Sequence, residues 1–133
     1  MKYRLIIFLS LSALTVLMLN SGLTLAHHSA TATYIQGKTI KIEGTLKEFI
    51  WRNPHSFMRV EARDDKGDLA MWVIEGAAPA QLAESGLKAT TFRPGDHVIL
   101  TGQPGRIAED HRLLLDTIER PSDGFKWKGP ANQ

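Results

Sequence analysis

The chain has 133 residues, with 16 basic and 14 acidic side chains, five histidines and no cysteine. The lack of cysteine excludes disulfides, thiolate metal ligands and thiol nucleophiles, and the net charge of +2 gives no electrostatic basis for binding nucleic acid.

The first 26 residues have the pattern of a secretory signal peptide. Lys2 and Arg4 precede an apolar run from Leu5 to Leu19, and a more polar stretch ends at Ala26. The run is shorter than the ~20 residues of a spanning helix, so we expect cleavage after Ala26 and no stable membrane anchor. Cleavage leaves 107 of the 133 residues with 14 bases and 14 acids, because residues 1–26 hold two bases and no acid. We therefore expect a neutral protein in the periplasm or secreted, with no nucleic-acid partner.

Residues 27–37 are polar and without periodicity, and they predict an extended N-terminal arm. From Lys38 onward, Ile40, Ile42 and Leu46 alternate with charged and polar residues, a period of two that predicts a half-buried strand. Gly44 lies on the inward side of this strand, where the missing side chain lets the strand bend. The arm therefore leads into a domain that we expect over residues 38–120.

Four more strands and one short helix are predicted along this domain. The strands cover about 56–63, 69–75, 97–101 and a last segment from His111 or Arg112 to Glu119, and the helix covers 79–85 between Pro79 and Gly86. Asp64–Asp68 is a hairpin turn with Gly67 available for positive φ. Residues 102–110 are predicted as a loop, and residues 121–133 as a flexible tail whose Phe125 and Trp127 pack on the domain or on a partner.

Three strands, a short helix and two further strands follow one another in the order of the OB-fold. This fold is a five-stranded, partly open β-barrel. A long, glycine-bent first strand suits it, because that strand serves both halves of the barrel. We therefore predict an all-β, OB-like barrel with one short helix, with a small β-sandwich as the alternative.

The chain resembles a group of small exported bacterial proteins known only as a domain of unknown function. The resemblance covers nearly all of residues 27–120. It rests on five motifs: His27-His28-Ser29, Gly44-Thr45, Trp51-Arg52-Asn53-Pro54-His55, Trp72 to Glu75, and Pro94-Gly95-Asp96. Members of the group often carry an aromatic residue where this chain has Ala30. The resemblance implies export and supplies no established activity.

The histidines suggest a metal site. If the mature chain begins at His27, its α-amine and imidazole and the imidazole of His28 form a compact set of nitrogen donors. Such a set suits Cu(II), with Ni(II) and Zn(II) ranked behind it. His55 follows Pro54 in a turn and becomes a third donor if the arm folds back, with Glu75 or Asp96 supplying an oxygen. The competing interpretation is that His27 and His28 are solvated and that His55 caps its turn through a backbone hydrogen bond.

Three aromatic side chains support a second hypothesis. Trp51, Phe57 and Trp72 lie on the first three strands, and the face of an OB barrel formed by these strands commonly binds ligands. The alternative role for them is core packing. No catalytic motif is present. The sequence therefore predicts an exported binding or accessory protein rather than an enzyme, either a copper-binding one or a metal-free module for a small ligand or a periplasmic protein partner.

Overall fold

The structure, a computed structural model, describes residues 30–129. The predicted signal peptide, its cleavage site and His27 and His28 lie outside the described residues. Residues 30–33 are helical, and a separate compact unit begins at Tyr34. None of the helices within residues 30–129 has the length and apolar character needed to cross a membrane.

Between residues 34 and 129 the compact unit contains six strands, one α-helix and a short 3₁₀ helix. The strands are β1 (Ile40–Ile50), β2 (Phe57–Arg63), β3 (Leu69–Glu75), β4 (His97–Pro104), β5 (Arg112–Arg120) and β6 (Phe125–Lys128). The α-helix α1 (Pro79–Glu84) follows β3, and the 3₁₀ helix Ala108–Asp110 precedes β5. The elements that sequence patterning predicts are thus all present, and β4 extends three residues beyond its predicted end, into the predicted loop.

The sheet closes on itself as a barrel. Its strand order is β3-β2-β1-β4-β5-β6, and an additional pairing joins β3 to β5. This closing ladder is parallel and pairs Val73, Ile74 and Glu75 with Arg112, Leu113 and Leu114. Five strands in this circuit, with a helix between β3 and β4, form an OB-like barrel, so the predicted fold class is confirmed and the sandwich alternative is wrong.

The barrel interior follows the predicted alternation. Ile42 and Leu46 point inward from β1, and Val60 and Ile74 point inward from β2 and β3. Leu82 of α1 is 1% exposed and belongs to the same apolar core. The helix therefore contributes one buried side chain to the barrel, which is consistent with its short length.

Two glycines allow neighbouring strands to approach each other closely. A Cβ atom on Gly44 would lie 2.2 Å from the carbonyl oxygen of Glu61, and one on Gly102 would lie 2.0 Å from that of Leu114. Gly102 also marks a shift in the register between β4 and β5. The close approach at Gly44 thus has a counterpart at Gly102, in a segment that the sequence pattern assigns to a loop.

The flexible tail predicted over residues 121–133 is wrong for residues 125–128. These residues form β6, which pairs antiparallel with Thr117–Arg120 of β5. Trp127 is only 8% exposed, and its indole Nε1 donates to the backbone oxygen of Ser85 at 3.0 Å. Burial of this large aromatic surface outweighs the cost of ordering four residues.

The arm predicted over residues 27–37 joins the barrel earlier than expected. Tyr34 forms an isolated antiparallel bridge with Gly105, and the Ile35 amide donates to the Pro104 oxygen at 2.9 Å. The Tyr34 side chain is 1% exposed. Anchoring of the arm by one aromatic residue is not visible in sequence periodicity, because a single apolar residue has no period.

Gly102→Ala is expected to lower the free energy of unfolding by about 2–3 kcal/mol, since the added methyl group has to displace the backbone of β5. Urea denaturation of the variant and of wild type measures the difference. Gly76→Ala is the matched control, because its Cβ would meet the nearest atoms at 3.6 and 3.7 Å, and its effect should stay within about 1 kcal/mol. Equal effects of the two substitutions would contradict the close approach at Gly102.

Candidate functional site

Four polar side chains meet at the end of the closing ladder. We name Tyr34, His55, Glu75 and Arg112 the Glu75 cluster, because each of the other three approaches that carboxylate. The Tyr34 hydroxyl donates to Glu75 Oε2 at 2.6 Å, and Arg112 Nη2 lies 3.6 Å from the same oxygen. His55 Nδ1 lies 3.5 Å from Glu75 Oε1. Both carboxylate oxygens are therefore engaged.

The secondary structure explains why these residues meet. Glu75 is the last residue of β3 and Arg112 is the first residue of β5, and the parallel ladder brings both onto one side of the barrel. Tyr34 reaches the site from the bridge with Gly105, and the Gly105 amide in turn donates to the Arg112 oxygen at 2.9 Å. The geometry of the cluster is thus fixed by backbone pairing.

The environment of Tyr34 disfavours loss of its proton. Burial raises the pKa of the phenol, and the hydrogen bond to Glu75 and its negative charge raise that pKa further, whereas Arg112 partly opposes them. The Tyr34 hydroxyl therefore acts as a fixed hydrogen-bond donor to the carboxylate over the physiological pH range.

The imidazole of His55 is hydrogen-bonded through one of its two ring nitrogens, Nδ1. Its segment is tied down by two backbone bonds, from the Ser56 amide to the Ala77 oxygen and from the Gly76 amide to the Ser56 oxygen. The imidazole Nδ1 lies 3.2 Å from the Gly76 oxygen, so Nδ1 carries the proton and donates it. The side chain is 50% exposed, and within residues 30–129 the Nε2 atom makes no bond. This nitrogen therefore keeps its lone pair available.

Among the other residues predicted as metal ligands, Glu75 lies near His55, whereas Asp96 lies elsewhere. Asp96, a candidate oxygen donor, accepts a hydrogen bond from Arg120 Nη1 at 2.9 Å instead. Glu75, the other candidate, belongs to the cluster around His55. No group of three His, Asp or Glu side chains among the described residues is arranged to hold a metal ion. His27 and His28, the other predicted ligands, lie outside residues 30–129.

The three aromatic residues predicted as a ligand platform do not share a face. Phe57 occupies an outward position on β2 and lies under Arg52, whose Cζ is 5.7 Å from the ring centroid. Trp72 points inward from β3 and is 8% exposed. Trp51 packs edge-on against Phe49, with ring centroids 5.5 Å apart. Successive side chains of a strand point to opposite faces of the sheet. Phe57 and Trp72 lie on opposite faces of the paired strands β2 and β3, so the two side chains are separated.

Two members of the Glu75 cluster are not predicted as site residues from the sequence. Tyr34 is a lone aromatic residue in a polar segment, and that contrast is the one signal that marks it. Arg112 is the first residue of a strand and has the appearance of a solvated charge in the sequence. Only the ladder between β3 and β5, which joins segments far apart in the chain, brings Arg112 to Glu75.

Tyr34→Phe removes the donor to Glu75 and is expected to lower the free energy of unfolding by about 1–2 kcal/mol at neutral pH. Because the pKa of Tyr34 is raised in the folded state, the unfolded chain loses this proton first above about pH 10. The stability that Tyr34 contributes is present below that pH and declines as the pH rises. The gap between wild type and variant should therefore shrink by about 1 kcal/mol between about pH 8 and about pH 11.

Urea denaturation at the two pH values measures this gap. Tyr34 is the only tyrosine after residue 26, so phenolate absorbance of protein that begins at His27 follows the same group directly. A gap of the same size at both pH values would contradict the raised pKa of Tyr34.

Comparison with known proteins places the chain in a family. A model described as a family of unknown function, DUF6152, matches residues 16–113, a range that includes His27, His28 and the whole Glu75 cluster. No curated protein matches the chain. Among solved structures, the mitochondrial single-stranded DNA binding protein Rim1 of S. cerevisiae is similar, with a TM-score of 0.47 and 14% identity over 72% of this chain and 100% of that chain. Since the family match spans more than half of its residues, the protein belongs to the DUF6152 family of unknown function.

Proposed function

We propose that the protein is an exported binding module that holds one divalent metal ion, copper in preference to nickel or zinc. The donors are the α-amine and imidazole of His27, the imidazole of His28 and Nε2 of His55, in a chain cleaved after Ala26. The hydrogen-bonding arrangement of the His55 ring is the observation that carries the proposal, since His55 is the one proposed ligand within the described residues.

His55 has the arrangement of a metal-binding histidine. Such residues almost always donate the second ring N–H to a backbone carbonyl or a carboxylate, which fixes the tautomer and the ring orientation. Here Nδ1 lies 3.2 Å from the Gly76 oxygen and 3.5 Å from Glu75 Oε1. Nε2 is thereby the ring nitrogen that makes no bond within residues 30–129, on a half-exposed ring at the surface.

The remainder of the Glu75 cluster supports this imidazole. The Tyr34 hydroxyl and the Arg112 guanidinium face Glu75 Oε2, so Glu75 Oε1 is the oxygen that faces His55. A carboxylate beside the Nδ1 proton helps to hold the imidazole in one orientation. Tyr34 and Arg112 therefore have a function in this proposal: they hold the carboxylate that orients the ligand.

Chain length is compatible with a site that includes the histidine pair. His28 precedes Tyr34 by six residues, and six residues of extended chain span at most ~20 Å. Tyr34 is hydrogen-bonded to Glu75, which in turn faces His55. The segment that carries the pair is thus tethered to a residue of the cluster.

Titration of Cu(II) into protein whose first residue is verified as His27 tests the proposal. His55→Ala should weaken binding by about tenfold or more, since the loss of a ligand should cost at least as much as the loss of a residue that supports one. His97→Ala is the matched control, because His97 is 52% exposed and is bonded to Glu43 at 2.9 Å outside the cluster. Affinity should also rise with pH, since the metal has to displace the proton of the α-amine, whose pKa is about 7.7–8.0.

A protein with one additional residue before His27 distinguishes the donors. This extension blocks the α-amine, and we expect it to reduce copper affinity at least as much as His55→Ala does. Equal affinity with and without the extension would remove the α-amine from the site. Equal effects of His55→Ala and His97→Ala would remove His55.

A further inference from the structure

The strand β3 is apolar on both of its faces. Its sequence from Leu69 to Ile74 is an unbroken run of apolar residues, which is typical of a strand that is covered on both sides. Trp72 and Ile74 point inward and are buried in the barrel core. The outward residues alternate with them, and we name them the β3 strip: Leu69, Met71 and Val73. The barrel core therefore accounts for one apolar face of β3 and not for the other.

The β3 strip is exposed to solvent beside a strand whose outer face is polar. Leu69 is 65% exposed and Met71 is 46% exposed. The residues of β2 that pair with the strip are all charged: Arg63, Glu61 and Arg59. Alternate residues of a strand lie ~7 Å apart, so Leu69 and Met71 form one continuous apolar patch. Such patches are typical of surfaces that associate with another molecule.

The flank of the strip on the β2 side is positively charged. Arg63 is the Cα partner of Leu69, and its guanidinium donates to the Gly67 oxygen. Arg63 forms no ion pair within residues 30–129. The other two charged residues on this flank are paired with residues of β1, Glu61 with Lys47 at 2.9 Å and Arg59 with Glu48 at 3.6 Å. Arg63 thus gives this flank a net positive charge.

The opposite flank of the strip is negatively charged. The Val73 amide donates to the His111 oxygen at 2.9 Å, so the segment before His111 runs beside the edge of β3 that does not pair with β2. This segment is the 3₁₀ helix, which ends in Glu109 and Asp110. Both side chains are exposed, and neither forms an ion pair with another of the described residues. The β3 strip therefore lies between a positive and a negative flank.

We propose that the β3 strip is the contact surface of a symmetric dimer, and that its occupant is a second copy of this chain. In a two-fold contact the same patch of each copy meets itself, so the patch has to be self-complementary. A two-fold axis parallel to β3 places strip against strip and the positive flank of each copy against the negative flank of the other. Arg63 then faces Glu109 of the second copy, twice in each dimer. A partner surface of one charge would match only one of the two flanks.

Sedimentation velocity of protein that begins at His27, with EDTA present to remove metal, tests for this dimer. Wild type should change from monomer to dimer as its concentration rises from micromolar to millimolar. Met71→Lys should weaken dimerisation by about tenfold or more, because two like charges then meet at the centre of the contact. Ala80→Lys is the matched control, since it adds the same charge at an exposed position of α1 and should leave dimerisation unchanged.

Reversal of one charge on each flank tests the arrangement of the two copies. Arg63→Glu alone and Glu109→Lys alone should each weaken dimerisation by about threefold to tenfold, because like charges then face each other at both ends of the contact. An equimolar mixture of the two variants should form a heterodimer about as readily as wild type forms its dimer, since opposite charges face each other again at both ends. Association in the mixture also shows that each variant is folded.

Three results would overturn the proposal. The first is wild type that stays monomeric throughout this range, and the second is a Met71→Lys variant that dimerises as well as Ala80→Lys. The third is a mixture of the two charge variants that associates no better than either variant alone. Monomer that cosediments with phosphatidylcholine vesicles, and loses this binding in Met71→Lys, would assign the strip to a lipid surface and would also contradict a second copy as the occupant.

Discussion

The pairing of three residues of β3 with three of β5 is the constraint on which the rest of this molecule depends. Without that ladder the sheet is open, and the apolar side chains of β1 to β5 have no enclosed interior. The ladder is parallel, so it joins segments that no hairpin connects. Close strand approach at Gly44 and Gly102, where an added Cβ would meet the neighbouring backbone, is part of the same circuit of strands.

The polar side chains at this end of the barrel lie beside the same ladder. Glu75 ends β3 and faces His55, whereas Trp72 lies just before the ladder and packs edge-on against His111. Arg112 begins β5, and its Nη2 lies 3.6 Å from Glu75 Oε2. The positions of these side chains therefore depend on the same pairing of three residues.

The sequence predicts local structure well and the site only in part. Alternation along residues 40–46, the Gly67 turn and the Pro79 helix depend on neighbouring residues, and each lies where the pattern places it. The strand order then leads to the OB-like barrel. Tyr34, Arg112 and Trp127 owe their positions to contacts between distant segments, and a lone aromatic or arginine carries no period that could reveal them. The separation of Phe57 from Trp72 follows from strand register, which sequence patterning does not supply.

The loop over residues 105–111 is closed at its base. The Gly105 amide donates to the Arg112 oxygen, and Gly105 is bridged to Tyr34, so the backbone enters and leaves the loop at a fixed point of the barrel. Substitutions and insertions beyond this base need not loosen the strands on either side. The loop and the barrel are therefore separable: a change within the loop alters the surface beside the Glu75 cluster and leaves the strands that carry the cluster in place.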